Sequence, residues 1–170
     1  MSYSTINSTN NIVTWLQDAK HRSSSSTVIH RRHVQSHPSF SLDKLKLVSS
    51  LRGHTGSVNR LAWDEDGSFL ASCSDDLHVC IWSLENCARP VGSFQTSHTN
   101  NILGIKFMPQ CESQVLLTGA CDGLVEMHHL AADRSDREKS DKYYCHRNRV
   151  RYVETEPMNP HVFFSAGDDG

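Results

Sequence analysis

An internal repeat is the feature of this 170-residue sequence that most restricts its possible folds. From residue 45 onward, a histidine is followed by a β-type run, then by a second run with a Ser or Thr and a turn Asp. Because the histidines and the turn aspartates both recur at nearly constant steps of 44 to 48 residues, the sequence predicts similar units that stack on one another. These markers are His54, His98 and His146 and, in the turns, Asp76, Asp122 and Asp169.

Each unit consists of short apolar runs separated by turn residues, a pattern that indicates antiparallel strands. The sequence therefore predicts an all-β domain over residues 45–170. Ahead of the first unit, every second position is occupied by Leu45, Leu47 and Ser49. This alternation predicts one additional strand. The runs lie at 58–63, 69–76 and 79–82 in the first unit, at 102–107, 115–123 and 125–128 in the second, and at 150–153 and 163–170 in the third.

A run of alternating charge, from Asp133 to Lys142, follows the second unit. Self-compensating charge of this kind is typical of a solvated connection. We therefore expect a long loop between the second and third units.

The N-terminal segment, residues 1–44, has a different composition. It contains four consecutive serines and few large apolar side chains, so we expect most of it to be disordered. Near residues 11–22, Ile12, Leu16 and Ala19 recur at helical spacing beside Trp15 and predict a short amphipathic helix. A helix of this length needs a docking surface to persist in water.

Composition and charge exclude several classes of protein. No stretch approaches the roughly 18 apolar residues of a membrane-spanning helix, and the N-terminus lacks the pattern of a signal peptide. We expect a soluble protein of the cytoplasm and/or nucleus, with its six cysteines as free thiols. The first fifty residues carry six Lys and Arg against two Asp, a modest excess that argues against nucleic acid as the partner.

The first unit resembles a WD40 repeat, because Gly53-His54 opens it, Ser74-Asp75-Asp76 forms its turn and Ile81-Trp82 ends it. The resemblance implies a partial WD40 β-propeller with two full blades and part of a third, each full blade being a four-stranded antiparallel sheet. It also implies one buried polar network per blade that holds the blade together. The network residues are His54, Ser72, Asp76 and Trp82, then His98, Thr118 and Asp122, and then His146, Ser165 and Asp169.

The sequence also contains residue types found in catalytic and metal sites. Ser72, His54 and Asp76 match the residue types of a hydrolase triad, but the same trio recurs at the repeat spacing and no G-x-S-x-G sequence is present. The histidines match no metal-binding spacing such as HExxH. The sequence therefore predicts a non-enzymatic binding protein with no cofactor and no metal.

A narrower likeness extends over residues 30–170. Arg31-Arg32-His33-Val34, the Leu51–Asn59 stretch and Ile105–Pro109 resemble the family of WD and tetratricopeptide repeat proteins and related substrate receptors of cullin-4-RING ubiquitin ligases. That resemblance implies a scaffold that links the cullin-4 adaptor to an unknown substrate. Its alternative is a generic WD40 scaffold in another complex. The implied adaptor contacts are Ile12, Trp15, Leu16, Leu45 and Leu47.

Two points of departure accompany the resemblance. Trp82 is followed by Ser83-Leu84-Glu85 rather than by the WDxR motif of that family. Propellers use roughly four to eight blades, whereas the sequence encodes two and part of a third. We therefore expect this chain to be a fragment that is marginally stable or that associates through exposed sheet surfaces.

Overall fold

The computed structural model describes residues 47, 49–83, 89–112 and 114–170. These residues form ten strands in three antiparallel sheets, and they contain no helix. The strands are β1 (Val58–Trp63), β2 (Phe69–Ser74), β3 (His78–Ser83), β4 (Gly92–Gln95), β5 (Ile102–Phe107), β6 (Val115–Ala120), β7 (Val125–Leu130), β8 (Arg137–Tyr143), β9 (Val150–Thr155) and β10 (Phe163–Gly167).

Each sheet is a meander in which consecutive strands are hydrogen-bonded neighbours. Blade 1 has the order β1-β2-β3-β4, blade 2 has the order β5-β6-β7-β8, and blade 3 contributes β9 and β10. The predicted all-β fold, two complete four-stranded blades and part of a third, is confirmed. The predicted helix near residues 11–22 lies outside the described residues.

The blades stack in chain order because the inner strands β2, β3 and β6 are buried on both faces. Ala71 and Cys73 of β2 face blade 2, whereas Ser72, which lies between them, faces the other way. One core therefore forms between blades 1 and 2 and a second between blades 2 and 3. The first core includes Ala71, Cys73, Val79, Ile81, Ile105, Phe107 and Leu116, and the second includes Leu117, Val125, Val150 and Val153.

The first strands of the blades, β1, β5 and β9, lie side by side. Close approach requires a small residue where blade 2 meets blade 3. A Cβ atom on Gly119 would lie 2.7 Å from Cγ1 of Val150. Gly119 therefore sets how tightly these two blades pack.

Of the 45–51 stretch, residues 47 and 49–51 are described and lie in no strand, and the rest of that predicted strand lies outside the described residues. One prediction about secondary structure is wrong. The charged run predicted as a loop contains β8, which pairs with β7 from Arg137 to Tyr143. Charged side chains are compatible with this position, because an edge strand needs one hydrogen-bonded neighbour and keeps most side chains in water.

The five described cysteines are free thiols, and Cys87 lies outside the described residues. Cys73 and Cys80 are fully buried, and burial raises the pKa of Cys73 to about 12. Within the described ranges, no helix has the length and apolar character that crossing a membrane requires.

Candidate functional site: three buried polar networks

The structure brings the predicted network residues of each blade into contact. The histidine comes from the segment before the first strand of the blade, and the hydroxyl residue comes from the second strand. The aspartate comes from the turn that follows, and in blade 1 Trp82 comes from β3. Residues distant in sequence therefore meet on one face of each sheet.

In blade 1, the Ser72 hydroxyl is the centre of the network. Its Oγ lies 2.8 Å from His54 Nε2 and 2.9 Å from Trp82 Nε1. An indole N–H only donates, so Ser72 Oγ accepts the bond from Trp82. His54 donates from Nδ1 to the carboxylate of Asp76, whose Oδ2 lies 3.1 Å away. Neutral His54 therefore accepts at Nε2, and Ser72 donates its hydroxyl hydrogen to that nitrogen. Every polar atom of the network thus has a partner.

The aspartates also fix the backbone of the segment that carries the histidine. The amide of the residue after each histidine donates to the aspartate at 2.8 Å in all three blades, namely Thr55 to Asp76, Thr99 to Asp122 and Arg147 to Asp169. Burial alone would raise the pKa of Asp76, but amide donation from His78 and Thr55 and the adjacent His54 lower it to about 2. Donation from Arg147 and His146 also lowers the pKa of Asp169.

Gly53 explains the Gly-His opening of blade 1. A Cβ atom at this position would lie 2.9 Å from the Trp82 ring, so the indole can pack here only against a glycine. The Trp82 side chain is accordingly buried, with 3% exposure.

Blade 2 departs from blade 1 at three coupled positions. His128 occupies the place of Trp82, Glu126 that of Cys80, and Ser97 that of Gly53. The smaller imidazole leaves room for the serine Cβ. His128 Nε2 still reaches the central hydroxyl, with Thr118 Oγ1 2.8 Å away, and Thr118 in turn contacts His98 Nε2 at 2.9 Å.

Glu126 extends the blade 2 network beyond the predicted residues. Its fully buried carboxylate accepts a bond of 3.0 Å from the backbone N–H of Ser97 and one of 2.9 Å from Arg137 Nη1. Sequence analysis missed both Glu126 and Arg137. The available signal was the spacing of Glu126 and His128, which places both side chains on one face of a strand.

Blade 3 has the shortest network. His146 Nε2 contacts Ser165 Oγ at 2.8 Å, and His146 Nδ1 contacts Asp169 Oδ1 at 2.6 Å. Among the described residues no third-strand side chain completes this network. Its members are more exposed than those of blades 1 and 2.

The Ser72–His54–Asp76 geometry matches the order of a catalytic triad, but its surroundings are those of a structural network. Ser72 has 2% exposure, and its oxygen already accepts the Trp82 N–H. A substrate therefore has no approach to the hydroxyl. The part of the chain that the structure describes also holds no group of three His, Cys, Asp or Glu side chains suited to a metal ion.

Of the predicted adaptor contacts, only Leu47 lies within the described residues, and it is exposed. Ile12, Trp15, Leu16 and Leu45 lie outside them.

The structure reveals an exposed apolar surface that sequence analysis did not identify. Leu61 and Trp63 of β1 are 56% and 50% exposed, although the corresponding Ile105 and Phe107 of β5 are 4% and 5% exposed. A groove of about 280 Å³ runs past this surface across β1, β5 and β9. Its rim includes Arg60, stacked 4.8 Å from the Tyr152 ring centroid, and the ion pair of Lys106 with Glu154.

Comparison with known proteins places the chain among WD40 proteins. Residues 45–83 match the family model described as "WD domain, G-beta repeat". The chain is 40% identical over 127 residues to "WD and tetratricopeptide repeats protein 1" of Homo sapiens, which covers 75% of this chain and 18% of that protein.

Two further relatives match at lower identity. "Protein ALTERED SEED GERMINATION 2" of Arabidopsis thaliana is 36% identical over 146 residues, covering 82% of this chain and 19% of that protein. "DDB1- and CUL4-associated factor 6" of Homo sapiens is 27% identical over 129 residues, covering 76% of this chain and 15% of that protein.

The chain thus spans less than a fifth of the length of these relatives. The family match, the repeated polar networks and the stacked four-stranded sheets agree with one another. This chain is a WD40-repeat protein, similar to WD and tetratricopeptide repeats protein 1.

Proposed function

We propose that this WD40 protein-interaction scaffold serves in a substrate receptor of a cullin-4-RING ubiquitin ligase, where it links the cullin-4 adaptor to a substrate. One observation carries the proposal: three quarters of the chain match a relative whose name states association with DDB1 and CUL4. DDB1 is accordingly the adaptor candidate. We place this activity in the cytoplasm and/or nucleus.

The polar networks support a scaffold role because, in blades 1 and 2, they link the strands without leaving the network histidines and hydroxyls at the surface. In blades 1 and 2, His54 and His98 are almost fully buried and bonded on both ring nitrogens. A rigid sheet holds its surface side chains in place before a partner arrives, which lowers the entropic cost of binding. We therefore propose a function in binding and none in catalysis.

We assign the two partners to different parts of the chain. We assign the adaptor to the N-terminal residues Ile12, Trp15 and Leu16 together with Leu45 and Leu47, and Leu47 is exposed. A separate surface of the blades then presents the substrate.

The experiment compares three forms of the full chain as baits in a cell lysate. One is unchanged, one carries Ile12→Ala, Trp15→Ala and Leu16→Ala, and one carries Val28→Ala and Ile29→Ala. The third is a control with apolar side chains removed elsewhere in the same segment. We expect DDB1 and cullin 4 with the first and third baits and neither protein with the second.

Recovery of neither protein by the unchanged chain would contradict the ligase proposal. Reproducible recovery of a different complex would favour the alternative, a generic WD40 scaffold. Equal recovery by all three baits would retain the ligase assignment and contradict the assigned N-terminal contacts.

A further inference from the structure

The pair of Glu126 and His128 in blade 2 is the least expected feature of the described core. Both side chains are fully buried, whereas blade 1 has Cys80 and Trp82 at the same places. His128 Nδ1 has no hydrogen-bond partner and lies 3.8 Å from Glu126 Oε1. Buried polar atoms without partners are rare in folded proteins, so this nitrogen requires an explanation.

The hydrogen bonds around Thr118 determine where His128 carries its proton. Neutral His98 donates from Nδ1 to Asp122 and therefore accepts from the Thr118 hydroxyl at Nε2. The Thr118 oxygen must then accept a hydrogen from His128 Nε2, 2.8 Å away. Neutral His128 consequently has a lone pair on Nδ1, and this lone pair faces a carboxylate oxygen.

Two acceptors that face each other form a site for one proton. A proton from solvent that binds the Nδ1 lone pair creates an imidazolium N–H directed at Glu126 Oε1. That oxygen already accepts from Arg137 Nη1 at 2.9 Å. One buried carboxylate oxygen is then shared by two cations that repel each other.

Arg137 can leave this site, whereas His128 cannot. The Arg137 side chain is 26% exposed and lies on the edge strand β8, whereas the His128 side chain is fully buried against Phe94 of blade 1, with ring centroids 5.2 Å apart. Released into water, the guanidinium regains hydration. Strand β8 then loses one side-chain link to β7 and keeps its backbone ladder and the His129–Asp141 pair.

We propose that Glu126, His128 and Arg137 form an acid-sensitive switch in blade 2, in which proton uptake at His128 Nδ1 displaces Arg137 and loosens β8 from β7. Burial holds the pKa of His128 below its ordinary value, which keeps the switch closed at neutral pH. The charged and titratable groups near His128 are Glu126, Arg137, His98, Asp122, His129, Asp141 and Lys142, which is the register partner of Glu126 on β8.

The sign of the pH effect follows from these positions. Burial and the Arg137 charge both hold the pKa of His128 below its ordinary value, and the departure of Arg137 removes the second of these causes, so the pKa of His128 is higher in the open form than in the closed form. Between these two pKa values the open form binds one more proton, so acidification through this interval favours opening, by up to about tenfold per pH unit for one proton.

The test is hydrogen exchange of β8 amides in the full chain from pH 8 to pH 5, corrected for the intrinsic pH dependence of exchange. The unchanged protein is compared with Ser97→Gly/His128→Trp, which recreates the Gly53 and Trp82 arrangement of blade 1. Because His98 remains in both proteins, the difference between their slopes reports His128 alone. We expect the opening of β8 to increase with acidification more steeply in the unchanged protein than in the variant, by up to about tenfold per pH unit.

Arg137→Gln and Lys139→Gln form a matched pair on the same strand. Lys139 pairs only with exposed Asp141, so its variant should exchange like the unchanged protein. Arg137→Gln should open β8 at pH 7.5 to the level of the unchanged protein near pH 5. Equal slopes in the unchanged protein and the tryptophan variant, or no effect of Arg137→Gln, would overturn the proposal.

A measurement on the unchanged protein covers the case in which the variants do not fold. Nitrogen-15 chemical shifts distinguish the two neutral tautomers of a histidine. We expect His128 to carry its hydrogen on Nε2 at pH 7. A hydrogen on Nδ1, or titration of His128 at the ordinary value of an exposed histidine, would contradict the switch.

Discussion

At the scale of single residues, one hydroxyl per blade decides whether the surrounding polar atoms are satisfied. Ser72 and Thr118 each receive one ring N–H and bond a histidine on the other side. The same three residue types recur in blade 3, although without a third-strand partner among the described residues. The same pattern of hydrogen bonds between side chains therefore recurs from blade to blade.

Ser72→Ala removes the hydroxyl that serves both His54 and Trp82. Two buried polar atoms lose their partner, so we expect the free energy of unfolding to fall by about 1 to 3 kcal/mol. Ser165→Ala is the matched control, because Ser165 bonds only His146 and lies nearer to the surface. Urea unfolding measures both, and a loss for Ser165→Ala equal to that for Ser72→Ala would contradict the assigned roles.

Asp76 gives blade 1 a pH dependence in acid. Because its folded pKa is about 2 and its ordinary value is 3.8, the stability that it contributes is present above pH 3.8 and is lost as the pH falls towards 2. Asp76→Asn should be less stable at pH 7 and should lose this part of the pH dependence. Unfolding midpoints from pH 5 to pH 2 test this, and parallel curves for the two proteins would show that Asp76 does not titrate as described.

The sequence predicted the residues that repeat and missed those that do not. His54, Ser72 and Asp76 could be grouped because the same residue types recur at one spacing, and Trp82 joined them through the resemblance of its unit to a WD40 repeat. Glu126 occurs once, and Arg137 lies in a run predicted as a loop, so no periodic signal linked them. Their contact depends on β8 pairing with β7, which only the three-dimensional structure provides.

At the scale of elements, the turn after the second strand of each blade has a residue with left-handed φ directly after its aspartate. Leu77, Gly123 and Gly170 hold this place with φ values of 64°, 81° and 92°. A leucine adopts this conformation at a cost of roughly 1 to 2 kcal/mol. The turn of blade 1 therefore has backbone strain at Leu77, whereas glycine avoids this strain in the other two turns.

Gly123→Ala tests how closely the blade 2 turn approaches the loop of blade 3. A Cβ atom there would lie 2.7 Å from the backbone oxygen of His146, so we expect the free energy of unfolding to fall by about 2 to 4 kcal/mol. Gly67→Ala is the control, since Gly67 has φ of 70° and open space around it, and only the conformational cost of about 1 kcal/mol applies. Equal losses would contradict the close contact between blades.

Strand prediction succeeded for apolar strands and failed for the charged one. β2, β3 and β6 are apolar because they are covered on both faces, and their sequences show it directly. β8 is an outer strand whose side chains are mostly in water, so its sequence has the same polarity as a loop.

At the scale of the molecule, the described blades form an open stack with one apolar face uncovered. Leu61 and Trp63 are exposed, whereas Ile105, Phe107 and Val153 in the neighbouring blades are covered by the preceding blade. An exposed surface of this kind marks a site of association. The expectation that the chain is marginally stable or associates stays a prediction.

Leu61→Ser with Trp63→Ser should reduce concentration-dependent association of the chain and change its stability by less than about 1 kcal/mol, since half of each side chain is already in water. Ile105→Ser, at the same place in blade 2, should instead cost about 3 kcal/mol or more. Light scattering over a range of concentrations measures the mass. A monomer at every concentration for the unchanged chain would contradict this prediction.

The most direct test of the account is binding between the purified chain and purified DDB1, measured by titration at one salt concentration. The account predicts saturable binding that weakens at least tenfold when Ile12, Trp15 and Leu16 become Ala and stays unchanged when Val28 and Ile29 become Ala. Absence of binding by the unchanged chain would contradict its assignment to a cullin-4 substrate receptor and leave it as a WD40 scaffold of another complex.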